Sequence, residues 1–210
     1  MPQYVLPDLR YDYGALEPHI SGKIMELHHD KHHAGYVKGA NTAIEKLDEA
    51  REKEDFTRVA AMEKALAFNL SGHVLHSLFW QNLTPKANDR PSGALSERIT
   101  NDFGSFERLK KQMNEVAGTI MGSGWAALVW EPLAGRLLTT QIYDHQSNLA
   151  QGGIPLMVID AWEHAFYLQY QNRKTEFFDA IWNCWNWKDV AERFEAARQV
   201  NVELTGAVKG

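Results

Sequence analysis

"TPKANDRPSG", residues 84 to 93, decides how this 210-residue chain is divided. Proline fixes φ and has no N–H to donate, while Gly, Asn and Asp favour turns, so the stretch interrupts any regular element. On its N-terminal side, apolar residues recur at helical spacing. Ile20, Ile24 and Leu27, then Ile44 and Leu47, read as one long helix or a kinked pair with Pro18 in the first turn. Val59, Met62, Leu66 and Leu70 read as a second helix, from near Asp55 or Thr57 to about Asn82. On the C-terminal side, "LSERITND" and "SFERLKKQMNEVAGTIMG" read as helices capped by Ser96 and Ser105. "GWAALVWEP" and "RLLTTQIYD", turning at Pro132 and Gly135, read as a β-hairpin, "IPLMVID" as a third, buried strand, and helices resume near Trp162. The fold class is therefore α+β. An N-terminal antiparallel helical hairpin domain, residues 1–88, precedes an α+β domain, residues 89–210, with a small three-stranded antiparallel sheet.

Composition limits the function. With 44% hydrophobic residues the chain can bury a core, and with a net charge of −5 and no basic stripe it is not built for nucleic acid. The longest charge-free apolar stretch, "VAGTIMGSGWAALVW", is rich in glycine and shorter than the roughly 20 residues a membrane helix needs. "MPQYVLPDLRYDYG" is broken by prolines and charges, unlike a secretory signal, and the single cysteine, Cys184, fits a reducing compartment. A cytoplasmic location is the expectation.

The chemistry concentrates in three places. "LHHDKHHAGYV" carries His28, His29, His32 and His33. On a regular helix residues 28, 32 and 36 form one stripe and 29 and 33 the next, so only one of the two is expected to face the core. "NLSGHVLHSLFW" carries His73 and His76 beside apolar residues. "DAWEHAFYLQY", residues 160 to 170, sets Asp160, Glu163 and His164 among core-like residues, where a carboxylate is costly unless paired, hydrogen-bonded or metal-bound. Asp160 ending a strand with His164 in the turn after it, or both on one helix at i and i+4, brings the two side chains together. Each cluster also has a plain structural reading: a solvated histidine patch, a core histidine bonded to a carbonyl, an Asp–His hydrogen bond. Three imidazoles and one carboxylate together suit iron, manganese or zinc rather than calcium or magnesium.

Taken together, these segments resemble the iron/manganese superoxide dismutase family along nearly the whole chain. The resemblance rests on "LPDLRYDYGALEPHISGKIMELHHDKHHAGYVKGAN", "GHVLHSLFWQNL", "GSGWAALVW", "DAWEHAFYLQYQN" and "AIWNCWNW". It implies His28, His76, Asp160 and His164 as ligands of one manganese or iron ion per subunit, with a solvent molecule as the fifth, and excludes His29, His33 and His73. It implies His32 and Tyr36 as the gateway for the substrate, and Trp125, Trp162 and Trp80 as the apolar wall of the site. Glu163 and Tyr167 are implied at a dimer interface, reaching the partner subunit's His164 and the partner subunit's His32, in a homodimer or a tetramer built from two dimers. The implied activity converts superoxide to dioxygen and hydrogen peroxide by redox cycling of the ion, as antioxidant defence, without nucleic acid or membrane. Steering of the anion is expected to be local, from Lys31, Arg173 and Lys174, since the net charge has the wrong sign.

Two departures from the family pattern stand out. Leu75 precedes the second-helix ligand where asparagine is more usual. The slot facing the bound solvent, filled in the family by glutamine from the second domain or from the second helix, has Gly72 on the helix. An ungapped reading from Trp125 puts His145 in the second-domain slot, and a shift of one residue puts Gln146 there. Three rival readings are weaker. A di-iron carboxylate bundle needs Glu-x-x-His on two helices, and only Glu26 to His29 supplies one. A non-catalytic helical binding protein leaves Asp160 and His164 unexplained. A zinc hydrolase would use the same ligands without redox chemistry.

Overall fold

The computed structural model describes residues 3–88 and 90–202. A 3-10 turn, Tyr13–Leu16, and a bend through Pro18 lead into helix α1, Gly22–Leu27, whose first turn is capped by Ser21 Oγ accepting from the Ile24 N–H at 3.3 Å. Pro18 thus lies before the helix rather than in its first turn, following a cis peptide bond. The chain winds on through a π-helical segment, His28–His33, into α2, Ala34–Glu52, and returns as α3, Val59–Asn82. α2 and α3 pack as the antiparallel pair that the apolar spacing predicts, closely enough that a Cβ on Gly39 would lie 2.1 Å from Asn69 Oδ1.

The π-helical segment corrects the expectation that one histidine stripe is buried and the other solvated. His28, His29 and His33 are all buried, and His32 is half-buried. The wider turn shifts the 3.6-residue register, and the N-terminal segment covers the outer face, where His29 Nε2 donates to the Pro7 carbonyl at 2.8 Å.

After the 84–93 segment come α4, Gly93–Phe103, and α5, Phe106–Gly118. Ser105 caps α5 as expected, its Oγ accepting from Arg108 N–H at 3.2 Å. Ser96 does not cap α4. The helix starts four residues earlier, with Ser92 at the N-cap position, and stops at Gly104, which adopts a left-handed φ of 82°. Three strands follow: β1, Gly124–Glu131, β2, Arg136–Tyr143, and β3, Ile154–Asp160. They form an antiparallel sheet in the order β2-β1-β3. The hairpin turn is set by Glu131, whose carboxylate accepts from the N–H groups of Leu133 and Ala134, and by Gly135 at φ 65°.

The central strand β1 is buried on both faces, so it reads as a continuous apolar run rather than an alternating one. β3 is an edge strand, which accommodates Pro155 at the point where its pairing with β1 shifts register. Beyond β3 lie a 3-10 turn, Glu163–Ala165, and three further helices: α6, Tyr167–Tyr170, α7, Lys174–Ala180, and α8, Trp187–Ala197. The consequence for function is that α3 packs on β3. The helix carrying His76 lies against the strand that ends in Asp160.

Candidate metal centre

The described residues bring His28, His76, Asp160 and His164 into one cluster, with a ligating atom from each within 4.8 Å of the others. Asp160 is its hub. Its Oδ1 accepts from the Trp162 backbone N–H at 2.9 Å, which fixes the carboxylate, and its Oδ2 faces three imidazoles. His28 Nε2 lies 3.0 Å from that oxygen, His164 Nε2 3.1 Å and His76 Nε2 3.7 Å. Of the alternatives open in the sequence, the first holds: Asp160 ends the strand and His164 lies in the 3-10 turn that follows.

The donor set fits a metal ion on observations within the chain. His76 Nδ1 donates to the Gly72 carbonyl at 2.6 Å, so the neutral ring carries its proton there and Nε2 presents a bare lone pair. The Nε2 atoms of His28 and His76 are both buried without a hydrogen-bond partner, although Asp160 is close by. Buried nitrogens left unpaired are costly and uncommon. Ligand atoms bound to one ion at roughly 2.1 Å stand about 3 to 4 Å apart, and the three distances to Asp160 Oδ2 have this scale. Burial pushes His28 down to about 4 despite the pull of Asp160, and holds His76 well below the ordinary histidine value. Burial works to raise Asp160, but the facing His164 and His28 outweigh it and hold the carboxyl well below its usual range. A neutral-imidazole, ionised-carboxylate set is what a metal ion requires.

The other histidines of these segments have structural partners. Trp80 Nε1 donates to His33 Nδ1 at 2.9 Å, so His33 Nε2 holds the proton and donates to His73 Nδ1 at 2.8 Å. His29 Nδ1 meets Asp30 at 2.7 Å, and Asp30 also accepts from the Tyr13 hydroxyl. None of the three joins the cluster.

Around the cluster stand the aromatic residues that the sequence singles out. Trp80 meets His28 edge-on at 4.7 Å and Trp125 meets His76 edge-on at 4.9 Å, both buried. His32 stacks on His164 at 4.1 Å. The ring of Tyr36 lies 5.0 Å from His76 and 4.5 Å from His145, seated where Gly72 has no side chain, since a Cβ there would come within 2.9 Å of it. Burial, with the charge of Asp160, raises the Tyr36 hydroxyl above an ordinary tyrosine, so it stays protonated as a donor.

The structure separates His145 from Gln146. His145 is buried, stacks on Trp162 at 4.5 Å, and accepts a hydrogen bond from Trp125 Nε1 at its Nδ1, 3.0 Å away. Burial pushes it down to about 4, so the ring is neutral near pH 7 and its proton sits on Nε2, which has no acceptor among the described residues. Gln146 instead folds back, its Oε1 accepting from the His145 N–H at 3.2 Å. Glu163 and Tyr167 lie outside the cluster, on the exposed surface beside His164. Lys174 lines the cleft next to His164, whereas Arg173 is paired with Glu176. A larger groove, about 610 Å³, runs between α2 and α3 and contains none of the four cluster residues. The Cys184 thiol, pushed up to about 12 by burial, is not a nucleophile.

These shifts make the apoprotein acid-sensitive. His28 and His145 titrate near 4 and His33 near 3 when folded, all lowered by burial, against an ordinary value of 6.5. Between pH 6.5 and about 4 the unfolded chain therefore binds protons that the folded chain refuses, and stability falls as pH falls. Urea unfolding of the apoprotein at pH 7, 5.5 and 4.5 is expected to show a progressive loss, about 1.4 kcal/mol per pH unit below 6.5 for each of these imidazoles. A midpoint that does not move would show that these imidazoles are solvated.

Fold and site together define a class: an α+β metalloprotein with three histidines and one aspartate arranged for a single ion where a helical hairpin meets a small antiparallel sheet. Comparison with known sequences makes the class specific. The profile for the alpha-hairpin domain of iron/manganese superoxide dismutases matches residues 3–84, and that for their C-terminal domain matches residues 91–193. The chain belongs to the iron/manganese superoxide dismutase family. It is 58% identical to a superoxide dismutase of Propionibacterium freudenreichii subsp. shermanii named for manganese and iron, over 93% of this chain and 98% of that one. It is 56% identical to an iron superoxide dismutase of Mycobacterium tuberculosis, over 94% of this chain and 95% of the relative. A manganese superoxide dismutase of Mycolicibacterium smegmatis is 55% identical over the same shares.

Proposed function

We propose that this chain is a superoxide dismutase holding one manganese or iron ion on His28, His76, Asp160 and His164. The observation that carries the reading is the pair of buried, unpartnered Nε2 atoms of His28 and His76 beside Asp160. Family membership and relatives named for iron, manganese or both support the choice of ion. When bound, the ion supplies a one-electron couple, so that two superoxide anions and two protons become one dioxygen and one hydrogen peroxide.

The chain's residues position, insulate and supply protons. Trp80, Trp125 and Trp162 exclude water, which strengthens electrostatic interactions inside the site. Half-buried His32 and Tyr36 line the approach, and the Tyr36 hydroxyl is kept protonated where it can donate. Lys174 lines a cleft beside His164 and donates from Nζ to the Ile120 carbonyl at 3.3 Å, and it stays with Lys31 and Arg173 in the steering reading. A subunit interface through Glu163 and Tyr167, giving a homodimer or a tetramer, is supported by the exposure of Tyr167 and Leu168, 50% and 64%, next to the site. Division into domains 1–88 and 89–210, with the site between them, is supported by the separate profile matches. A cytoplasmic location remains part of the reading on the single buried cysteine.

The test is reconstitution. Apoprotein loaded with manganese or iron is expected to consume superoxide, and zinc-loaded protein is not. Absence of superoxide consumption with both manganese and iron would overturn the assignment. His145 sharpens the test, because its Nε2–H donor favours particular protonation states of whatever it faces, and so acts on redox potential more than on affinity. His145→Ala is expected to keep metal near one per chain while changing turnover by about tenfold or more and altering the ratio of iron to manganese activity. Gln146→Ala should do much less, and the opposite ranking would return the slot to Gln146.

A further inference from the structure

The four cluster residues come from opposite sides of the 84–93 segment: His28 and His76 precede it, Asp160 and His164 follow it. Apolar packing between the two parts is non-directional, so it does not by itself fix the register of α3 along β3. Hydrogen bonds do, and among the described residues one fully buried side chain makes those that run from α3 to the backbone of β3. Asn82, the last residue of α3, donates from Nδ2 to the Leu156 carbonyl at 3.1 Å and accepts at Oδ1 from the Val158 N–H at 3.1 Å.

The arrangement has a clear physical logic. β3 is an edge strand, and its outward backbone groups need partners. The Asn82 amide presents a donor and an acceptor to residues 156 and 158 and stands in for one residue of a neighbouring strand. Its second Nδ2 hydrogen goes to Asp189 Oδ2 at 2.9 Å, and Asp189 is held in turn by Arg193 Nε at 2.8 Å, which locks the amide's orientation. The backbone carbonyl of Asn82 accepts from the Asn186 N–H at 2.7 Å. Thus both Nδ2 hydrogens and the Oδ1 of this amide are engaged in ways that specify one register. Val158 is two residues from Asp160 on the strand, and Asn82 is six from His76 on the helix. The clamp and the 3.7 Å approach of His76 Nε2 to Asp160 Oδ2 therefore span the same helix–strand pair.

We infer that Asn82 is a positioning residue for the metal centre, setting the register between His76 and Asp160 and so controlling how firmly the ion is held and the geometry of its ligands. This rests on the metal-site reading above. Four proteins loaded with manganese test it: the native chain, Asn82→Ala, the swapped pair Asn82→Asp/Asp189→Asn, and Ile99→Ala, a buried core change in α4 that matches a general loss of stability without touching the clamp. Two quantities are read: the rate of manganese release to a chelator, and the electron paramagnetic resonance spectrum of the bound ion. Asn82→Ala is expected to release the ion about tenfold faster or more, with a changed spectrum, as when a ligand's supporting hydrogen bond is lost. The swapped pair, which restores a reciprocal bond between positions 82 and 189 and the acceptor for Val158 N–H, should recover much of the native rate. Ile99→Ala should keep the native rate and spectrum. Native behaviour of Asn82→Ala in both readouts, or equal changes in Ile99→Ala, would overturn the inference. Should Asn82→Ala fail to fold, Asn82→Asp alone, isosteric but without the two donors, is judged by the same two criteria. A native chain that takes up neither manganese nor iron would instead refute the metal-site reading itself.

Discussion

Asp160→Ala is expected to abolish metal binding and superoxide consumption together. The carboxylate is the only anion in the cluster, faces all three imidazoles through one oxygen, and is fixed by the Trp162 N–H through the other. Without it, three neutral nitrogens remain to offset a divalent or trivalent charge in a buried site, which is electrostatically unfavourable. Replacing His28, His76 or His164 by alanine should act in the same direction. Each loss should exceed the roughly 10–100-fold reduction that follows removal of a ligand's hydrogen-bonding partner. The measurements are metal per chain by elemental analysis and superoxide decay by rapid mixing. Asp160→Asn separates charge from structure, since it keeps an acceptor for Trp162 N–H yet should still lose the ion. Any variant that retains one ion per chain and full turnover removes that residue from the ligand set.

Glu163→Ala is expected to weaken subunit association and metal retention in the same protein. Glu163 is exposed in the single chain, yet it directly precedes His164, whose ring faces Asp160, and it neighbours exposed Tyr167 and Leu168. A carboxylate that accepts from a ligand imidazole across an interface orients that ring and raises its basicity. Its loss should therefore lower metal affinity by about 10–100-fold while shifting the proposed dimer towards monomer. Sedimentation measures the second effect and dilution into chelator the first. Unchanged dimer dissociation would show that Glu163 does not bridge subunits, whatever happens to the metal.

Much of this was legible in the sequence, because the signals were local. The period of α2 and α3, the hairpin on either side of Pro132 and Gly135, and the Ser105 cap each depend on residues close in the chain. The four cluster residues were readable through the family resemblance and the chemistry of the set. What was not legible depends on contacts distant in sequence. A regular helical wheel leaves His29 and His33 on the wrong stripe, because it contains neither the π-helical turn nor the segment at Pro7 that covers them. Pro18 and Ser96 are acceptable helix-start residues, but Ser21 and the turn at Ser92 lie nearer the places where the backbone becomes helical. His145 and Gln146 differ by one position, and contacts distant in sequence, the bond from Trp125 Nε1 and the stacking on Trp162, separate them. Asn82 reads as an unremarkable helix end until β3 is placed beside it.

The most direct measurement is anomalous diffraction at the manganese or iron absorption edge from crystals of the metal-loaded protein. The expected result is one strong peak per chain, enclosed by the Nε2 atoms of His28, His76 and His164 and an oxygen of Asp160, at roughly 2.0–2.2 Å from each. A peak at the His33 and His73 pair, beside His29 and Asp30, or nowhere in the chain would contradict the assignment of this cluster as the metal centre.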